Sequence, residues 1–144
     1  MVILQKASQK DIDIVYQWQI NPITRKYFHN NAIPSYSEHC EWFEGVLVSE
    51  NVLLYVIMDE NRKVGCIRLN ISGVNTATVS ILLSPLEYGK GFAFLALKSV
   101  LEMHKYFLFE AYIHTENKAS KSLFLKCGFQ KVGDTKYIKE VESE

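Results

Sequence analysis

The stretch Leu82-Leu83-Ser84-Pro85-Leu86-Glu87-Tyr88-Gly89-Lys90-Gly91-Phe92-Ala93 joins the end of a β-type run to the start of a helical one through a turn holding two glycines. The first amides of a helix lack intrahelical acceptors and sit at the positive end of its dipole, so a phosphate can take their hydrogen bonds. Gly89 and Gly91 let such an anion approach closely, and Lys90 adds a full charge. The stretch is not a Walker phosphate loop, which needs a longer spacing and a Lys-Ser/Thr pair, and it lacks the third glycine of the dinucleotide fingerprint. Taken alone it also reads as a plain two-glycine turn with a solvated lysine. As a binding site it calls for a phosphate-bearing ligand of another class.

The elements that must position this turn follow from periodicity. Val2 to Ala7 suits a first strand, and Ser8 with Asp11 offers an N-cap for a helix carrying Ile12, Val15, Tyr16 and Ile20, which Asn21-Pro22 ends or interrupts. Ser35 and Glu38 have capping-box spacing, opening a second helix with Trp42, Phe43, Val46 and Leu47 on one side. Val52 to Met58, Lys63 to Ile71 and Thr76 to Leu83 are β-rich runs that predict an antiparallel meander. From Gly91 the period becomes 3.6, with Phe92, Leu95, Ala96, Val100 and Met103 on one face. Leu108 to Thr115 reads as a strand. Asn117 then caps a short helix that ends at Gly128, and a last β-type segment runs from about Gln130 to Val141.

A chain of 144 residues, 48% hydrophobic and 22% charged, suits one domain over residues 1–144 with an ordinary core. Sixteen Lys and Arg balance sixteen Asp and Glu, so there is no chain-wide attraction to nucleic acid or to a membrane surface. No apolar run approaches the roughly 20 residues that span a bilayer, and no export signal is evident, so a cytoplasmic location is expected. Cys40, Cys66 and Cys127 are odd in number and widely spaced, which suggests neither a disulfide framework nor a metal site. Cys127 as an acyl-accepting nucleophile is the functional alternative to three packed thiols.

The glycine turn, together with Glu116-Asn117-Lys118-Ala119-Ser120-Lys121-Ser122-Leu123-Phe124-Leu125-Lys126-Cys127-Gly128-Phe129, resembles the GNAT superfamily of acyl-CoA N-acyltransferases. The first segment is similar to the family's pyrophosphate-binding motif and the second to its strand-to-helix motif ending in Gly-Phe. The likeness is close over residues 76 to 130. Trp18, Asn21-Pro22, Arg25, His39 and Trp42-Phe43 extend it weakly toward acetyltransferases of nucleotide-linked amino sugars, including the pseudaminic-acid pathway, and of ribosomal-protein N-termini.

The resemblance implies an α/β fold with one mixed sheet, in the order β-α-α-β-β-β-α-β-α-β, whose fourth and fifth strands splay apart around acetyl-CoA. It implies that Leu82 and Leu83 hold the pantetheine by their backbone. Gly89, Lys90, Gly91, Phe92 and Ala93 would then surround the pyrophosphate and Asn117 would face the pantetheine arm, with Tyr88 and Phe124 also counted at the cofactor site. Three positions depart from the pattern. Tyr88 stands where Arg or Gln is usual, Phe124 where many members place a Tyr acid, and Tyr112 where N-terminal acetyltransferases place a basic Glu. Proton transfer then falls to Tyr112, His114 and Ser80 on the splayed strands, and Arg25, His39 and Trp42 would line an acceptor pocket.

The attacking nitrogen must be neutral. Deprotonating a lysine amine at pH 7 costs roughly 4.6 kcal/mol, whereas an α-amine costs only about 1.0 to 1.4 kcal/mol. The missing Glu therefore favours a low-pKa amine deprotonated through water. Holding amine and thioester together supplies about 7 to 11 kcal/mol, more than the roughly 3 to 5 kcal/mol of acid-base help. The expected activity is acetyl transfer from acetyl-CoA to a small-molecule amine, a nucleotide-linked amino sugar first, by a monomer or homodimer. The rival readings are acetylation of a protein N-terminus, an acyl-CoA-binding module without turnover, and a structural interaction domain with no ligand.

Overall fold

The computed structural model describes residues 1–28, 30 and 32–141. The chain opens with β1 (Ile3–Lys6), then a short 3-10 turn over Gln9–Asp11 that carries the Ser8/Asp11 capping box, and α1 (Ile12–Ile20). Asn21-Pro22 does more than end α1. The Asn21 side chain accepts from the Ile23 amide and Pro22 takes the first helical position, where its missing N–H costs nothing, so a one-turn helix α2 (Pro22–Arg25) begins that the sequence reading did not include. The second expected helix is α3 (Tyr36–Val48), and both halves of the Ser35/Glu38 capping box are made.

The meander follows as β2 (Val52–Asp59), β3 (Arg62–Ser72) and β4 (Thr76–Leu83), each within a residue of its expected bounds. A 3-10 turn over Pro85–Glu87 leads to α4 (Phe92–Met103), then β5 (Leu108–Tyr112) and α5 (Lys118–Lys126). Strand β5 is shorter than the expected run to Thr115. The last β-type segment is two strands, β6 (Gln130–Lys131) and β7 (Lys136–Lys139), because Val132 and Gly133 donate to the Lys136 carbonyl and close a turn between them.

The seven strands form one sheet in the order β1-β2-β3-β4-β5-β7-β6, antiparallel except where β4 meets β5. Helices cover both faces, the layered arrangement of an α/β domain. On one face α1 and α3 bury Val15, Trp18, Phe43 and Val46 against Leu54 and Cys66. On the other, α4 and α5 pack Phe92, Ala96, Leu97, Val100 and Phe124 over Ile57, Ile67 and Leu69. The buried stripe of α4 is thus rotated from the expected one. Leu97 and Leu101 are buried and Met103 is half exposed, since the helix lies against a flat sheet and presents a wider apolar arc than a single i, i+4 row.

Candidate active site

Strands β4 and β5 pair from Thr76 to Thr78 and then part. Among the described residues, the β4 edge that faces β5 has no strand partner beyond Thr78, while its opposite edge stays paired with β3 as far as Leu83. This is the expected splay. Backbone groups along such an edge need partners that the sheet does not supply. The parting opens into a cleft of about 1210 Å³ that runs from the start of α4 to the segment after α2.

At one end of the cleft lies the glycine turn. Gly89 and Gly91 have φ of +81° and +83°, and a Cβ on either would meet nothing within 4 Å. Gly91 is the N-cap of α4 and brings no side chain to the cap, in contrast to Asn21, Ser35 and Asn117, which each accept a first-turn amide. The first intrahelical bond of α4 runs from the Leu95 amide to the Gly91 carbonyl, so the amides of Phe92, Ala93 and Phe94 precede the ladder and border the cleft. Open space, three donors and the helix dipole suit a diphosphate.

Lys90 is placed otherwise than the sequence reading had it. Its ammonium binds Glu87 at 3.0 Å and does not line the cleft; Arg62 reaches the other oxygen of Glu87 at 2.7 Å. The hydrogen bonds from Lys90 and Arg62 hold the Glu87 carboxyl below its usual value. The ammonium thus serves to neutralise a carboxylate that would otherwise repel an anion at the turn, and it braces the turn against the β2–β3 connection.

Leu82, Leu83, Tyr88, Asn117 and Phe124 all border the cleft. Asn117 caps α5 by accepting from the Ser120 amide at 3.1 Å, so its side-chain oxygen is already engaged. Phe124 is a core residue, packed edge-on against Phe129 with ring centres 4.9 Å apart. Ser80, Tyr112 and His114 also reach the cleft, yet no hydrogen bond joins any two of them among the described residues. The Tyr112 hydroxyl donates toward Glu110 at 3.4 Å. His114 lies against the Tyr27 ring, and its Nδ1 accepts from the Glu116 amide at 3.1 Å. That bond fixes the tautomer: the neutral ring carries its proton on Nε2 and presents a donor there. Cys127 does not line the cleft. Burial raises its thiol pKa, which disfavours the thiolate that an acyl-accepting role needs.

The other end is bounded by α1, α2 and α3, and here one expectation is corrected. His39 is 1% exposed and does not border the cleft. Its Nε2 donates to the Ile12 carbonyl at 2.9 Å and its Nδ1 meets the Gln19 amide group at 3.0 Å, so it ties α3 to α1 behind Trp42. Arg25 borders the cleft, but its guanidinium donates to the carbonyls of Gln19, Asn30 and Ala32 and holds the segment after α2 in place. Trp42 is part exposed and does face the cleft. The residue that the sequence reading passed over is Arg68, in the middle of β3 and 5.7 Å from the Trp42 ring. A charge set between Ile67 and Leu69 in a central strand was the available signal, since strand interiors admit one only with a partner or a task.

The acetyltransferase (GNAT) domain profile matches residues 1–130. The chain belongs to the GNAT acetyltransferase family. No curated protein matches its sequence. Solved structures share the fold. A domain from Methanocaldococcus jannaschii is 25% identical with a TM-score of 0.84, covering 96% of each chain. Spermidine N-acetyltransferase from Vibrio cholerae, crystallised with CoA and spermine, is 19% identical with a TM-score of 0.85, over 92% of this chain and 82% of that one. An aminoglycoside acetyltransferase solved with coenzyme A is 18% identical with a TM-score of 0.82, over 96% and 93%. As a GNAT member the chain is an acetyl-CoA-dependent N-acetyltransferase, with acetyl-CoA as cosubstrate. Among the described residues no His, Cys, Asp and Glu cluster could hold a metal, and no helix is long and apolar enough to cross a membrane.

Proposed function

We propose that this single domain acetylates a primary amine of a small molecule by direct attack in a ternary complex, with a nucleotide-linked amino sugar as the preferred acceptor class. The observation that carries the proposal is one cleft with two unlike ends: an uncapped helix start and free strand edge at one, an aromatic and basic wall at the other. In this reading the backbone of Leu82 and Leu83 holds the pantetheine. The turn from Tyr88 through Ala93 holds the diphosphate, with Asn117 and Phe124 flanking the arm between them. The cosubstrate supplies an activated acyl group, and everything else is the work of the chain.

Proton handling divides by geometry. A neutral His114 presents Nε2–H and suits hydrogen-bond donation, not proton release, and it takes up a proton at Nδ1 only by giving up the Glu116 amide. Tyr112 has a carboxylate behind it in Glu110, and Ser80 stands on the opposite strand, so proton loss from the amine runs by water along the side of Tyr112 and Ser80. This weak basic assistance fits an amine of low pKa, which needs little help.

The structural neighbours that carry spermine or kanamycin bind polycations. In this chain Glu38 is the single Asp or Glu bordering the cleft among the described residues, against Arg25, Lys26, Arg68 and Lys126. Glu38 is already spent on the Ser35 capping box, whose hydrogen bonds lower its pKa. Repulsion of a polycation and attraction of an anion-bearing acceptor follow. The test is release of CoA thiol from acetyl-CoA over an amine panel containing a uridine diphosphate-linked amino sugar, a peptide N-terminus, spermidine and kanamycin. Amine-dependent release with the sugar leading is expected; release with no amine above hydrolysis rejects catalysis.

A further inference from the structure

Resting on the acyl-transfer reading of the cleft, we propose that Arg68, backed by Trp42, is the recognition point for an acidic group, phosphate or carboxylate, carried by the acceptor amine. Arg68 lies opposite Leu54 of β2 and Ser80 of β4, on the sheet face that α1 and α3 cover. Its neighbours in β3, Ile67 and Leu69, are fully buried on the other face. Among the described residues no carboxylate approaches the guanidinium and no hydrogen bond reaches it, and its Nε is buried without a partner. The Arg68 guanidinium carbon lies 5.7 Å from the centre of the Trp42 ring, within cation–π range, and both residues border the cleft.

Such an arrangement is costly in the free protein. Burial lowers the Arg68 pKa, and a buried unpaired donor forfeits its hydration. Arginine keeps its charge in proteins, so the group cannot escape the cost by losing its proton. The nearby Arg25, by contrast, donates from both terminal nitrogens of its guanidinium to three carbonyls. Two arginines border the same cleft, one used up by the fold and one held ready. A planar fork without a partner is the geometry that takes an anion's two oxygens at once.

The test pairs acceptors that differ in the acid alone: glucosamine 6-phosphate against glucosamine, and γ-aminobutyrate against butylamine, with spermidine as the cationic arm. For wild type, at least one acidic member exceeds its neutral partner in kcat/KM by about tenfold or more, the size of one charge-assisted hydrogen bond. Whichever pair shows the preference names the acid. Arg68→Met, which preserves the packing against Trp42, brings that ratio to within about twofold of unity, and Arg68→Lys retains part of it. Equal use of acidic and neutral acceptors, better use of spermidine, or a ratio unchanged in Arg68→Met overturns the proposal while leaving the N-acetyltransferase reading intact.

A second readout needs no turnover: quenching of tryptophan fluorescence on titration with glucosamine 6-phosphate or γ-aminobutyrate. Saturable quenching in wild type that is lost in Arg68→Met supports the subsite even if no amine releases CoA thiol, in which case only the catalytic reading falls. No saturable response to either acid overturns the subsite.

Discussion

Gly91→Glu separates the anion-binding role of the turn before α4 from its structural role. Gly91 has φ +83° and ψ 7°, and a Cβ there meets nothing within 4 Å. The structural penalty is therefore the left-handed backbone alone, about 1–2 kcal/mol. A carboxylate beside the first turn of α4 recovers up to about 1 kcal/mol from the helix dipole. The net loss is at most about 2 kcal/mol, a fall in Tm of roughly 4–8 °C for a domain of this size. On binding, the same carboxylate competes with the diphosphate for the amides of Phe92, Ala93 and Phe94. Losing two charge-assisted hydrogen bonds of about 1.5–3 kcal/mol each weakens affinity by roughly 10²- to 10⁴-fold. Calorimetric titration of CoA into wild type, Gly91→Ala and Gly91→Glu, beside their unfolding curves, gives both numbers. The alanine variant carries the strain without the charge, so it loses comparable stability but less than about tenfold in affinity. A folded Gly91→Glu protein that binds CoA within about threefold of wild type would refute the placement of the phosphates.

Three further outcomes follow. His39→Ala removes one buried and one part-buried hydrogen bond and leaves a void between α1 and α3, costing about 2–4 kcal/mol in urea unfolding; a loss under about 1 kcal/mol contradicts its structural assignment. The Glu87 carboxyl is held low by Lys90 and Arg62, so its contribution to stability is complete above its unfolded value of about 4.3 and is lost as pH falls through its lower folded value. Glu87→Gln should accordingly flatten the acid limb of the stability profile, and urea midpoints of the two proteins that fall in parallel toward low pH would count against the brace. Burial pushes the Cys66 thiol up to about 12, so an aromatic disulfide reagent near neutral pH leaves Cys66 unmodified in the folded protein and reaches it only on unfolding. Peptide mapping that finds Cys66 labelled early contradicts this.

Much of the end of the cleft proposed for the cosubstrate was legible in the sequence because it is local. A two-glycine turn between a β-period and a 3.6-period, with a second cap at Asn117 after the next β-type run, is a short-range pattern, and backbone amides at a helix start need no tertiary contact to exist. The same holds for the capping box at Ser35/Glu38 and for the meander, where alternation and turn residues set the register.

The acceptor end was not legible, because its character depends on which side chain finds a partner. Arg25, His39 and Arg68 are all polar residues set among apolar ones, and spacing alone does not distinguish them. Folding brings the Ile12 carbonyl and Gln19 to His39, gives Arg25 three carbonyls from flanking segments, and, among the described residues, brings the Arg68 guanidinium the Trp42 ring and no hydrogen-bond partner. The amino-acid order thus determined most of the elements and the glycine turn proposed to bind the anion, through local periodicity and capping. The tertiary structure decided which charges the fold neutralises and which it leaves facing the cleft, since pairing is a property of residues distant in sequence and adjacent only in space.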